Sequence, residues 1–150
     1  MPTLDEKTKE LIKHLDLLFR RFLINQKEAT GKISNLTRQE FRVIITLGRL
    51  GSCKMSQIAD EMMLAISSVT FIVDNLVAKK LVQRTRMEED RRVVNVELTS
   101  QGKSIYRMAY DKKLKMGFGI LKSLNETEQN KLIELFRKVT DKLRNQNEDK

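Results

Sequence analysis

Between residues 67 and 98 the spacing of apolar residues changes its period, and that change constrains the fold more than any other feature of the chain. Val69, Ile72, Val73, Leu76 and Val77 recur at the three- and four-residue steps of a helix that seats one stripe on a core. From Leu81 onward the period is two. Val82, Arg84 and Arg86 alternate with Gln83, Thr85 and Met87, and Val94, Val96 and Leu98 alternate with Asn95 and Glu97. With the polar connector Glu88–Arg92 between them, the two runs predict a β-hairpin with a charged tip.

The remaining segments read as helices. Leu11, Leu15, Leu18 and Phe22 recur at steps of four, three and four, widened by Ile12, Phe19 and Leu23, which predicts an amphipathic helix over about residues 5–28. Thr37 with Glu40 is a capping box opening a helix through Phe41, Ile44, Ile45 and Leu47, which Gly48 and Gly51 are expected to end. Ser56 is expected to cap a short helix containing Ile58, Ala59 and Met62. After a turn near Leu64–Ile66, Ser67 is expected to cap the helix of the Val69–Val77 stripe. Thr99 caps a long helix through Ile105, Met108, Ala109 and Met116, which Gly117 and Gly119 are expected to loosen or bend. Asn125 with Glu128 opens the last helix along Leu132, Leu135, Phe136, Val139 and Leu143, and the polar tail from Arg144 is expected to fray. The fold class that follows is mainly α (α+β).

Composition narrows the chemistry. One cysteine excludes an intramolecular disulfide and a multi-cysteine zinc site, and one histidine argues against a His-based metal or triad centre. No glycine-rich phosphate loop occurs. These features point away from an enzyme, a metal or a cofactor. No run of 18 apolar residues occurs and the charged start is no signal peptide, so a cytoplasmic protein with no membrane partner is expected. Lys and Arg number 29 against 20 Asp and Glu, a net charge of +9 that favours an anionic partner. A local basic excess lies in Lys79, Lys80, Arg84, Arg86, Arg91 and Arg92, set against Glu88, Glu89 and Asp90.

Two short helices joined by a tight turn and followed by a hairpin make a winged helix-turn-helix. The major groove of B-DNA admits one helix, and the small Ala59 suits the close crossing of its backing helix. With Val69–Val77 buried, the second helix presents Ser67, Ser68, Thr70, Asp74 and Asn75, side chains able to hydrogen-bond bases or phosphates. The tip residues Asp90, Arg91 and Arg92 can carry an arginine into a minor groove. Arg84 and Arg86 are further candidates for DNA contact.

The run Lys79–Arg84, then Asp90 and Arg92, then, after five intervening residues, Leu98, Thr99 and Gly102, resembles the D-x-R…L-T-x-x-G signature of the multiple-antibiotic-resistance regulator (MarR) family. The order of elements matches over essentially the whole chain. The resemblance implies a homodimeric DNA-binding transcription regulator, commonly a repressor released by a small ligand or an oxidant. It places the wing arginine on Arg92, its supporting aspartate on Asp90, and recognition-helix contacts on Ser67, Ser68, Thr70 and neighbours including Asn75. Phe71 departs from the polar or basic residue common there, so a contact is missing or becomes an apolar touch on a thymine methyl. Lys80 stands where relatives usually have glycine, so either a lysine takes a left-handed conformation or the turn differs. The family's ligand crevice, near the junction of the first, second and fifth helices, implies Phe22, Phe41 and Ile45 as lining for a small aromatic or lipophilic effector.

The terminal stripes give a separate argument. A two-stranded hairpin and two short helices cannot cover both Leu11–Leu15–Leu18 and Leu132–Leu135–Phe136–Val139–Leu143. Bare, they would form a patch larger than monomers show, so they are expected to form a homodimer contact. One MarR-type domain over 1–150 is expected, with a DNA-binding lobe at about 37–98 and dimerisation helices at about 5–30 and 100–145. Two recognition helices would then lie about one DNA turn apart on a near-palindromic site. Cys53 reads as an incidental thiol, with a redox sensor as the alternative, and His14 as a surface residue. The rival reading is a basic helical adaptor binding protein partners or an anionic membrane surface.

Overall fold

A computed structural model of the chain describes the backbone of residues 1–31, 35–86 and 94–148, and the side chains of 1–21, 35–86 and 94–145. The elements run α1 (Leu4–Gly31), α2 (Arg38–Leu50), β1 (Cys53–Lys54), α3 (Met55–Met62), α4 (Ile66–Ala78), β2 (Val82–Arg86), β3 (Val94–Leu98), α5 (Ser100–Lys122) and α6 (Glu126–Glu148). They form two compact units, Met1–Tyr110 and Asp111–Lys150. Among the described residues no single helix is long and apolar enough to cross a membrane.

In the first unit the core is built from the stripes that the periodicity identifies. Val43, Ile44 and Leu47 of α2, Ile58, Ala59 and Met62 of α3, and Val69, Ile72, Val73 and Leu76 of α4 meet Val82, Val96 and Leu98 of the sheet. The hairpin register pairs Val82 with Leu98, Arg84 with Val96 and Arg86 with Val94, which places these residues on one face as the alternation requires. A third strand joins them. Cys53 pairs with Val96 and Lys54 with Asn95, giving an antiparallel sheet in the order β1-β3-β2. Two residues are too short for a period to register, so sequence patterning gives no sign of β1.

Several helix ends differ from expectation. α2 runs through Gly48 and stops at Gly51, whose φ is +77°. Gly48 is a contact point: a Cβ there would lie 2.1 Å from the Tyr106 ring of α5. The N-cap of α3 is Lys54, two residues before the expected Ser56, because β1 fixes that residue in an extended conformation. Nor does Ser67 cap α4; Ala65 holds that position, and Ser67 sits inside the first turn. The reason is the tight end of α3. Met63 is left-handed (φ 54°), and the Leu64 N–H bonds back to the Ala59 carbonyl at 3.0 Å, which shortens the connection to α4.

In the second unit α5 continues through Gly117 and Gly119, and α6 reaches Glu148, further than the polar tail led one to expect. The Asn125–Glu128 capping box is present, with Asn125 N–H donating to Glu128 Oε2 at 2.9 Å and Glu128 N–H to Asn125 Oδ1 at 3.0 Å. Gln129 Nε2 donates to the Leu121 and Leu124 carbonyls, satisfying acceptors at the end of α5.

Candidate nucleic-acid interface

The chain bends by 110° between α3 and α4, within the range of a helix-turn-helix. Val69, Ile72, Val73 and Leu76 anchor α4 from below. At the opposite face, Ser67, Phe71, Asp74 and Ala78 follow one another at steps of four, three and four, all exposed. Ser68 is exposed on one flank of that stripe, and Thr70 and Asn75 are half-buried at its margins. The residues predicted on α4 are thus gathered on one outward surface. Because Ala65 offers no side-chain cap, the N–H groups of the first turn have no side-chain acceptor there, the arrangement that receives a phosphate oxygen.

Two ties fix this surface to the rest of the unit. At its C-terminal end, Lys79 Nζ donates to both carboxylate oxygens of Glu40, at 2.9 and 2.7 Å, and also to the Asn35 carbonyl. Glu40 is only 3% exposed, and its Oε2 also accepts the Thr37 N–H at 2.7 Å, completing the predicted capping box of α2. Burial alone would raise the Glu40 carboxyl, but the Lys79 ammonium and the Thr37 donors outweigh it and hold the group below its ordinary value. The cap is legible in the local sequence, whereas the ion pair joins residues 39 positions apart.

The second tie explains the L-T-x-x-G motif. α4 ends with Lys80 in the left-handed conformation at φ 60°, as one of the two expected outcomes for this non-glycine residue required. The Leu81 N–H bonds back to Leu76 at 3.0 Å and the Lys80 N–H to Val77 at 2.9 Å. Thr99 then locks the turn: its Oγ1 donates to the Lys80 carbonyl at 2.8 Å and its N–H to the Leu81 carbonyl at 3.1 Å. The same Oγ1 accepts the Gly102 N–H at 3.2 Å, capping α5. Gly102 is required by close approach, since a Cβ there would lie 2.1 Å from the Leu81 carbonyl oxygen. One threonine and one glycine thereby join the end of α4, the hairpin and α5.

Along the hairpin, Arg84 lies on the face shared with Val82 and Val96, and its Nη2 donates to Asp74 Oδ1 at 2.5 Å. β2 is thus pinned against the outward stripe of α4. Arg86 is exposed one step further along that face, and on the other face Gln83 donates to Glu97 at 2.7 Å. The predicted tip residues Asp90, Arg91 and Arg92 lie outside the described residues, as does the side chain of Phe22. Of the other crevice candidates, Phe41 is buried and Ile45 half-buried.

Cys53 is 4% exposed within the core, and burial pushes its thiol up, away from the thiolate form that oxidant sensing uses. His14 is exposed on α1. The predicted dimer residues Leu11 and Leu18 of α1 and Leu135, Phe136, Val139 and Leu143 of α6 are exposed, with Leu15 and Leu132 half-buried.

A helix-turn-helix whose second helix is flanked by a pinned antiparallel hairpin defines a winged helix-turn-helix protein. The MarR family model matches residues 36–94, from the approach to α2 into β3, and over that stretch the chain is similar to MarR-family proteins. Over 135 residues, 89% of this chain and 96% of the relative, it is 27% identical to the HTH-type transcriptional regulator YpoP of Bacillus subtilis. Over 102 residues, 68% of this chain and 65% of the relative, it is 32% identical to the HTH-type transcriptional repressor MdtR of the same organism. Streptococcus pneumoniae FabT, solved in complex with DNA, shares the fold with a TM-score of 0.79 at 24% identity, covering 92% of this chain and 98% of that one.

Proposed function

We propose that the chain is a homodimeric, sequence-specific repressor of transcription, not an enzyme, that occludes a promoter and is released by a small-molecule effector. The observation that carries this reading is the outward surface of α4, a helix face of short polar side chains around Phe71, without lysine or arginine, held beside a hairpin by the Arg84–Asp74 pair. The naming of MdtR as a repressor and the solution of FabT with DNA support it. Ser67, Ser68, Thr70, Phe71 and Asn75 meet base edges in the major groove, and Arg86, Arg91 and Arg92 meet phosphates or the minor groove, with Asp90 supporting the tip.

The exposed apolar faces of α1 and α6 supply the dimer contact. Leu11, Leu18, Leu135, Phe136, Val139 and Leu143 are each 47–58% exposed, and burying such a side chain stabilises by roughly 1.5–3 kcal/mol. Dimerisation sets two α4 helices about one turn, roughly 34 Å, apart and so calls for a near-palindromic operator. An effector seated near Phe22, Phe41 and Ile45 changes that spacing; a differential affinity of a few kcal/mol between the two arrangements suffices.

The test is a salt titration of duplex binding. The reading predicts steep weakening with salt together with a sequence preference that survives competitor DNA. Binding that is indifferent to sequence, or absent, would overturn it.

A further inference from the structure

We propose that α4 reads an A·T-rich half-site, with Phe71 seated on the C5-methyl group of a thymine. This rests on the reading of α4 as the major-groove element and goes one step beyond it, to the class of base read.

From Ile66 to Ala78 the helix carries no lysine or arginine. Guanine presents two acceptors in the major groove and is most often read by the paired donors of an arginine or by a lysine; α4 has neither. Its one charged side chain, Asp74, is an acceptor, repelled by guanine's acceptor edge and already engaged by Arg84. The Thr70 hydroxyl spends its proton on the Ile66 carbonyl at 2.8 Å, which leaves it only lone pairs to offer a base. What remains for guanine is the single hydroxyl donors of Ser67 and Ser68 and the marginal Asn75 amide, with no paired cationic donor on the face.

Thymine is well served. Phe71 is 68% exposed at the middle of the outward stripe, one turn beyond Ser67 and one before Asp74. Ile66, 54% exposed, opens the helix. A large aromatic ring exposed where the helix enters a groove matches the one apolar group that the groove displays, the thymine methyl. Asn75, at the margin, has the amide geometry that pairs with adenine.

The experiment uses the full-length protein and a duplex it selects from a random-sequence pool. Single thymidines are then replaced by 2′-deoxyuridine, which deletes only the methyl group. The expected result is an A·T-rich consensus in which one thymine per half-site is sensitive to replacement. The loss is about fourfold for one half-site, the factor contributed by one buried methyl, and about fifteenfold for both. Phe71→Ala should bind thymine and uracil duplexes alike, whereas Phe71→Leu should keep part of the difference. A consensus with guanines facing α4, uracil insensitivity at every thymine, or full discrimination by Phe71→Ala would overturn the inference and leave sequence-specific regulation standing. Failure to select any duplex would overturn both.

Discussion

Replacing Glu40 by Gln isolates the ion pair that anchors the end of α4. The amide keeps an oxygen to accept the Thr37 N–H, so the α2 cap survives while the charge facing Lys79 disappears. Removing one partner of a fully buried pair costs about 3–5 kcal/mol. Here the Lys79 side chain keeps 34% of its surface, so water can recover the orphaned ammonium. We therefore expect a loss of about 1.5–3 kcal/mol. In urea that shifts the midpoint down by about 1 M at a slope of about 2 kcal/mol/M, measured at fixed protomer concentration because the proposed dimer contact would add to stability. Lys79→Met and the double variant complete the cycle, and a coupling of about 1–2 kcal/mol is expected. The pH dependence has a definite sign. Glu40 titrates below its ordinary value of 4.5 in the folded chain, so its contribution is complete above that pH and is lost as pH falls through the folded value. Wild type should thus lose more stability than Glu40→Gln between pH 5 and the acid limit. Zero coupling, or identical acid profiles, would refute the reasoning.

Other outcomes follow from the same geometry. Gly102→Ala forces a Cβ into the Leu81 carbonyl and strains both Thr99 bonds, so a loss of about 2–4 kcal/mol is expected in the same unfolding assay. Lys80→Gly relieves a left-handed lysine, partly offset by the entropy of an unfolded glycine, and should stabilise by about 0.5–1 kcal/mol without changing duplex affinity at fixed salt by more than the loss of one charge. Cys53 should react with a thiol reagent at pH 8 only as fast as the chain opens, so labelling should accelerate sharply across the urea transition; rapid labelling of the native protein would contradict its burial.

What the sequence disclosed and what it hid divide along chain separation. The α4 stripe, the two-residue alternation of β2 and of β3, and the Thr37–Glu40 and Asn125–Glu128 boxes each depend on residues within a few positions, and each is present. Glu40 and Lys79 are 39 positions apart, so nothing local distinguishes that pair from two solvated side chains. The caps of α3 and α4 lie at Lys54 and Ala65 instead of the expected Ser56 and Ser67 for a related reason. A serine is a good cap only where the chain is extended, and the extended residues Lys54 and Ala65 were set by pairing with β3 and by the left-handed end of α3. Ser67 within the first turn is then a side chain of the outward face instead of a cap, which favours its role as a contact. The Thr99–Gly102 motif was legible as a pattern, but its reason, the Leu81 carbonyl pressed against Gly102, is visible only in three dimensions.

Hydroxyl-radical footprinting of a selected duplex tests the central claim most directly. A pair of α4 helices presented by a symmetric dimer predicts two protected patches on one face of the duplex, about 10–10.5 base pairs apart, with two chains bound per site. A single protected patch, or one chain per duplex at saturation, would contradict it.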